Sequence, residues 1–225
     1  KAFEEFNFSI VVKPDQGIAG RGITILPAKD ELQKAWDFCN EYRNEGSVVV
    51  EEFVKGTDYR LLVVKGKTIA AARRIPALVI GDGKSTIEEL IKLKNTQKKI
   101  ANMSEIIIDD ELLRRLKNED MKINSIPDDQ QLVYLRYNSN MSTGGTTEEC
   151  LSEVHPYYLK LAEDACKTIG LNLGGVDLIT PDITDPSVKH AINEINRAPG
   201  LRIHYFPDHG LPQNVAKDIL SAILS

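Results

Sequence analysis

A pair of strand-like runs folded about two residues constrains this chain most. Residues 58–64 (DYRLLVV) and 68–75 (TIAAARRI) flank Lys65-Gly66. That spacing predicts a β-hairpin, and so an antiparallel sheet in the middle of the chain. Upstream, residues 8–13 (FSIVVK) are rich in β-branched side chains and stop at Pro14, which predicts a buried strand. A glycine-rich turn follows, Asp15-Gln16-Gly17-Ile18-Ala19-Gly20-Arg21-Gly22, and then a second strand at 23–26. Residues 29–43 carry Leu32, Ala35, Trp36 and Cys39 at helical spacing, and 47–54 (SVVVEEFV) return to strand. These pieces make a β-loop-β-α-β unit.

Past Lys55-Gly56 the character changes. Beyond the hairpin, helices are expected at 86–94 and 109–117, with 100–108 open to either reading. A strand is expected at 132–137, a polar glycine-containing loop at 138–147, and a helix at 155–169. Strands at 174–179 and 191–195 enclose a polar excursion, and 214–224 reads as a closing helix. The expected architecture is α+β in two lobes, residues 1–55 and 56–225, hinged near Val54–Gly56.

Composition excludes several classes. At 225 residues the chain can bury about 70% of its unfolded surface, so it needs no disulfide or metal staple. A net charge of −5, from 28 basic and 33 acidic side chains, argues against a nucleic-acid partner but allows a local phosphate pocket. No apolar run approaches the roughly 20 residues of a membrane span, and no secretory signal opens the chain. Cys39, Cys150 and Cys166 are odd in number and scattered, which fits neither a disulfide framework nor a zinc site. A reducing cytoplasm is the expected compartment. The sequence opens at Lys1 without an initiator Met, so a fragment of a larger protein is expected.

Four clusters could carry chemistry. In the first, Pro14 holds Lys13 extended at a strand end, beside Gly17, Gly20 and Gly22, whose backbone N–H groups can approach an anion closely. A plain structural hairpin is the alternative. The order excludes a dinucleotide fingerprint, because here the glycines lead into a strand rather than a helix. In the second, Glu51 and Glu52 end an apolar run at the hinge. Backbone groups there could bind an adenine edge, and Asp58 just beyond could accept ribose hydroxyls. In the third, Glu194 and Asn196 lie two apart on a strand and so share a face, where Asp177 of a neighbouring strand could meet them. Three hard oxygen donors suit Mg²⁺ beside phosphate, while an edge charge and a turn residue are the structural alternative. In the fourth, Arg136, Asn138 and Asn140 would share a strand face ahead of Ser142-Thr143-Gly144-Gly145, a loop able to hold a carboxylate or an oxyanion.

Three features point away from other chemistries. Gly81-Asp82-Gly83-Lys84-Ser85-Thr86 imitates a P-loop, but the motif needs a glycine where Leu78 stands. Ser85 or Thr86 reads better as a helix cap completed by Glu88 or Glu89. Lys92, Lys94, Lys98 and Lys99 read as a solvated helical stretch. His155, His190, His204 and His209 have no Ser or Cys partner at a hydrolase spacing, and no kinase catalytic element is present.

Taken in order, VVKPDQGIAGRGI, VEEFVKGTDYRLLVVKGK, RRIPALVIGDGKSTIEEL, NSNMSTGGTT, EVHPYY, GGVDLITPDI and EINRAPGLRIH resemble the ATP-grasp superfamily of carboxylate–amine ligases over nearly the whole chain. The nearest likeness is to the ATP-grasp modules of cyanophycin synthetases, then of bifunctional glutamate–cysteine ligase/glutathione synthetases. The resemblance implies two α/β lobes gripping ATP between them, with the amino-terminal pre-ATP-grasp domain absent. It gives Lys13, Gly17, Gly20 and Gly22 to the phosphates, Glu51, Glu52 and Val54 to adenine, and Asp58 to ribose. It gives Asp177, Glu194 and Asn196 to Mg²⁺. Asn140, Arg74 and Arg136 become candidates for the reacting phosphate or acyl phosphate, and Arg202 for the acceptor. Ile18-Ala19 stand where cyanophycin synthetases carry Asn-His in G-N-H-G-R-G, a departure that counts against strict cyanophycin synthesis. The implied partners are small amino-acid or peptide substrates and further copies of the enzyme. A glutathione-type or dipeptide ligase, a non-catalytic nucleotide-binding module and a kinase are the competing expectations.

Overall fold

The computed structural model describes residues 9–15, 22–25, 29–43, 46–100 and 103–224. The chain divides into two compact units between Phe53 and Val54.

The first unit is a three-stranded antiparallel sheet backed by a helix. Strands β1 (Ile10–Pro14), β2 (Thr24–Ile25) and β3 (Val48–Glu52) pair in the order β2-β1-β3. Helix α1 (Leu32–Tyr42) follows a 3-10 turn at Lys29–Glu31. Alternation sends Ile10 and Val12 to one face, where they bury against Ala35 and Cys39 of α1. Each such aliphatic side chain, fully buried, contributes about 1.5–3 kcal/mol. Leu32 is partly buried, and Trp36, expected on the same apolar stripe, is 46% exposed.

The second unit is built on a five-stranded antiparallel sheet. β4 (Thr57–Val64) and β5 (Lys67–Ile75) form the expected hairpin, with Lys65 at φ 45 and Gly66 at φ 73 in its turn. β6 (Leu78–Ile80), α2 (Ile87–Ile100), α3 (Asp110–Lys117) and β7 (Leu132–Tyr134) make a subsidiary layer in which β6 and β7 pair with each other. Ile87, Ile91, Leu112, Leu116, Val133 and Leu135 fill its core. β8 (Thr146–Glu149), α4 (Pro156–Thr168), β9 (Leu173–Thr180) and β10 (Ala191–Asn196) follow, then the short α5 (Arg202–Tyr205) and α6 (Val215–Leu224). The main sheet runs β10-β9-β4-β5-β8.

Its two faces differ. Tyr59, Leu61, Val63, Ala71, Val176 and Leu178 point to one side, where Tyr158, Ala162 and Cys166 of α4 cover them. The alternating residues Leu62 and Ala70 meet Val215 on the other side, with Leu201 and Tyr205 packed alongside. That second face continues into the polar residues described below.

The structure corrects several boundaries. β7 ends at Tyr134, so Arg136, Asn138 and Asn140 do not share a strand face. The 138–147 loop contains a 3-10 turn at Met141–Thr143 and runs directly into β8. α2 reaches Ile100 instead of 94, and its lysines are not all solvated: Lys98 is 4% exposed, with its Nζ donating to Gly145 O at 3.4 Å. Lys94 donates to Leu78 O at 2.8 Å. Burial pushes both ammonium groups below the ordinary lysine range. The imitation P-loop is a cap: Thr86 N–H donates to Glu89 at 2.8 Å, and Glu89 N–H donates back to Thr86 Oγ1 at 3.3 Å.

Candidate active site

In the first unit, Lys13 and Glu51 lie on adjacent strands, on the sheet face away from α1. Val11 is the register partner of Glu51, and Lys13 that of Val49. The two charged side chains therefore sit diagonally on one face, and Lys13 Nζ lies 2.6 Å from a Glu51 carboxylate oxygen. Both stay partly exposed, so the pair is open to competition by a third charge. Gly22 has φ +75, a backbone conformation that favours glycine, and a Cβ there would meet Tyr42 Cβ at 2.9 Å. Gly17 and Gly20 lie outside the described residues. Glu52 closes β3, and Val54 follows it outside any strand.

In the second unit, register brings the polar residues together. Asp177 of β9 faces Arg60 of β4 on one side and Glu194 of β10 on the other. Opposed residues in an antiparallel sheet share a face, so all three point the same way. A β-bulge between Ile192 and Glu194 makes this possible. Ile192 pairs with Leu178 on the core side. The extra residue Asn193 then shifts the phase, so that Glu194 pairs with Asp177 and Ile195 with Val176. Asn196, opposite Gly175, falls on the same polar face, and its Nδ2 donates to Glu194 at 2.7 Å. The expected shared face of Glu194 and Asn196 is present, and a bulge sets which face it is.

Asp177 is 2% exposed and is held by two guanidinium groups. Arg60 grips it in a fork, Nε to Oδ1 and Nη2 to Oδ2, the latter at 2.9 Å. Arg74 Nη2 donates to the same Oδ2 at 2.9 Å and lies 3.8 Å from Asp58 Oδ1. The other Asp58 oxygen accepts from Ser139 Oγ. Two glycines make the arrangement sterically possible. A Cβ on Gly174 would meet Cys166 Sγ at 2.5 Å, and one on Gly175 would meet Pro199 Cβ at 2.6 Å and Arg60 Cδ at 3.0 Å. The first lets α4 approach the sheet, and the second leaves room for the Arg60 stem.

Arg60, Arg74, Ser139, Asn140, Arg202 and Ile203 line a cavity of about 260 Å³, with Met141 and Gly200 completing it. Three guanidinium groups make it a place for an oxyanion. Asn140 opens the 3-10 turn, and its backbone N–H donates to Asn138 Oδ1 at 3.2 Å. Arg202 stacks over Phe206, 5.3 Å from the ring centroid. Behind Arg202 and Ile203, His204 is 1% exposed, and neither ring nitrogen has a hydrogen-bond partner among the described residues. Burial, reinforced by the Arg60 charge, pushes its imidazole down to about 4.

Arg136 is not brought to this cavity. It is almost fully buried, donating to Asp109 at 2.7 and 2.9 Å, to Glu111 at 3.1 Å and to Ile107 O at 2.8 Å. These bonds tie the start of α3 to the chain beyond β7. Arg60, Ser139 and Ile203 line the cavity without having been singled out in the sequence. The available signal was alternation: Arg60 is two residues after Asp58 in the same strand, hence on the same face.

Oxygen donors fit a hard divalent cation. Asp177, Glu194 and Asn196 converge by register, and a carboxylate offers about four lone-pair positions, of which three at Asp177 are taken by N–H groups. No cluster of three His, Cys, Asp or Glu side chains suited to a metal occurs among the described residues, so the amide of Asn196 is needed. All three cysteines are buried, and burial pushes the Cys150 thiol up to about 12. They are unsuited to nucleophilic work. Among the described residues no helix is long and apolar enough to cross a membrane.

Known proteins resemble this chain in sequence and in fold. Over 224 residues the chain is 42% identical to the cyanophycin synthetase of Crocosphaera subtropica, covering 96% of this chain and 26% of that protein. It is 35% identical over 219 residues to a glutathione biosynthesis bifunctional protein of Listeria monocytogenes, covering 94% of this chain and 28% of that one. The chain thus spans about a quarter of the length of these relatives. The crystal structure of a bifunctional glutathione synthetase from Pasteurella multocida superposes with a TM-score of 0.65 at 31% identity, over 96% of this chain and 30% of that one. The fold is therefore ATP-grasp. The family model of the prokaryotic glutathione synthetase ATP-grasp domain matches residues 1–113, half of the chain, and it is to this family that the chain belongs.

Proposed function

We propose that this chain is the ATP-grasp module of an ATP-dependent carboxylate–amine ligase that makes amide bonds through an acyl phosphate. The observation that carries the reading is the meeting of Asp177, Glu194 and Asn196 on one sheet face with a cavity lined by three arginines. In the proposed reaction a substrate carboxylate attacks the γ-phosphate of ATP, and an amine then displaces phosphate from the acyl phosphate. Residues 1–55 supply the small lobe and 56–225 the large one.

Lys13 and the glycines Gly17, Gly20 and Gly22 hold phosphate oxygens. Lys13 leaves Glu51 for that stronger anion, and the freed Glu51 carboxylate, with backbone groups of Glu52 and Val54, receives the adenine edge. Asp58 takes the ribose hydroxyls. Mg²⁺, when bound by Asp177, Glu194 and Asn196, offsets phosphate charge. Arg74 and Asn140 hold the reacting phosphoryl group, and Arg202 orients the acceptor. Arg136 stays a structural anchor. Little covalent work falls to the protein, which is why the lining is guanidinium, amide and hydroxyl rather than a nucleophile. Amino acids or peptides are the proposed substrates, the cytoplasm the compartment and a homo-oligomer the working form.

Calorimetric titration with Mg–ATP tests the assignment. Saturable binding is expected, weakened at least tenfold, about 1.4 kcal/mol, by Lys13→Met and by Glu194→Ala. Unchanged affinity in both variants refutes it.

A further inference from the structure

We propose that Arg74 is an exchangeable partner of Asp177, yielding that carboxylate to a divalent cation and turning its own charge to an anion in the cavity, while Arg60 is a positioning residue that keeps Asp177 aimed. The inference rests on the metal-binding reading above and says how that site is coupled to its neighbour.

The two arginines are not equivalent. Arg60 stands opposite Asp177 on the adjacent strand and grips it with two N–H groups. Only 8% of it is exposed, and Gly175 leaves room for its stem. Nothing about it invites movement. Arg74 belongs to β5, which is not adjacent to β9, and its register partner is Asp58. It reaches past β4 to make one bond to Asp177 Oδ2 at 2.9 Å, with Asp58 Oδ1 waiting at 3.8 Å. A side chain with one bond and a second carboxylate close by can change partners at small cost.

Lone pairs make the exchange specific. Oδ2 of Asp177 accepts from both arginines and is full, while Oδ1 accepts from Arg60 alone. A cation bridging Asp177 and Glu194 can take the remaining position on Oδ1, or gain Oδ2 by displacing Arg74. In either case a doubly charged ion then faces the Arg74 guanidinium across one carboxylate. That repulsion outweighs a single charge-assisted hydrogen bond. Arg74 lines the cavity with Asn140 and Arg202, so once released it remains there and can pair with a phosphate or carboxylate oxyanion. Linkage then requires each ligand to tighten the other by the same factor.

The test uses Mn²⁺ as the cation, followed by water-proton relaxation, and inorganic phosphate as the anion. With the 225-residue chain, phosphate is expected to strengthen Mn²⁺ binding about fivefold or more. Arg74→Met is expected to tighten Mn²⁺ without phosphate, because the competitor is gone, and to abolish most of the phosphate effect. Arg74→Gln replaces it if the Met variant does not fold. Arg60→Lys keeps the charge but loses the fork, and Mn²⁺ affinity is expected to fall about tenfold. Glu194→Ala is the reference and should remove the Mn²⁺ site. If Glu194→Ala removes it but the Arg74 variants bind Mn²⁺ no more tightly, or keep the full phosphate effect, the exchange is overturned and the metal site stands. Unchanged Mn²⁺ affinity in Arg60→Lys overturns the positioning role. Mn²⁺ binding that is absent or indifferent to Glu194→Ala overturns the metal reading and the exchange with it.

Discussion

Replacing His204 by Leu should remove most of the acid sensitivity of this protein between pH 7 and about 4. His204 is 1% exposed, and burial beside Arg60 moves its pKa from 6.5 down to about 4. In the unfolded chain the imidazole binds its proton near 6.5, while the folded protein resists it until about 4. Between those values the unfolded state carries more protons, so stability falls as pH falls. A shift of this size corresponds to about 3 kcal/mol over the window, with a slope approaching about 1.4 kcal/mol per pH unit. Leu is close in volume and does not titrate. Urea denaturation of both proteins, at steps from pH 7 to 4.5, gives the difference curve directly. Depressed carboxylates such as Asp82, held near 2 by hydrogen bonds from Ser85 and Lys84, act mainly below this window and are common to both proteins. A constant offset reflects packing and is immaterial. Parallel stability curves over the whole range would refute the reasoning, since they would mean that His204 is protonated as easily folded as unfolded.

Three further expectations follow from the same contacts. Arg60→Met leaves the buried Asp177 short of its fork and should cost about 3 kcal/mol by urea denaturation, with part recovered when Asp177→Asn is added. Cost near zero would mean Arg74 suffices alone. Gly174→Ala forces a methyl against Cys166 Sγ and should cost about 1–3 kcal/mol, eased by Cys166→Ala in a double-mutant cycle, whereas additive effects would contradict the contact. Lys98→Met should raise the urea midpoint at neutral pH, because burying that ammonium is unfavourable. The gain should shrink as alkali removes the proton in the parent protein, and a lowered midpoint would contradict it.

How far the sequence disclosed these features depends on the range of the interaction. The β4–β5 hairpin was legible because Lys65-Gly66 carries its own turn chemistry, and both residues take positive φ. The helix at 156–168 was legible from periodicity and from Pro156 in its first turn. β8 was not, since Thr146-Thr147-Glu148-Glu149 has no apolar residue. It is held instead by long-range bonds, Thr147 N–H donating to Asp208 at 2.6 Å and Arg73 Nη1 donating to Glu148 at 2.5 Å. Lys94 and Lys98 were misread because burial of a lysine depends on what the rest of the chain lays over it. The oxygen donors of the candidate metal site stood out by residue type. Their pairing with arginine did not, because Arg60 and Arg74 meet Asp177 across 117 and 103 residues of sequence. Arg136 looked like a ligand-binding cation, and its true company, Asp109 and Glu111, sits on another element.

The bulge at Asn193 gives the last strand a reading frame. β10 is the outermost strand of the sheet, and everything it offers the polar face depends on one uncounted residue. Were Asn193 counted into the ladder opposite Asp177, Glu194 would turn into the packing against α4 and Ile195 outward, although every residue of the motif would still be present. Lengthening the 181–190 excursion by one residue leaves that phase intact, because it lies before the first pairing of β10. One residue added before Ala191 is thus harmless, whereas one added between Glu194 and Asn196 puts the two oxygen donors on opposite faces. Homologous chains that vary freely in the excursion yet hold the length of the strand would be following the geometry of the sheet, not the chemistry of any single residue in it.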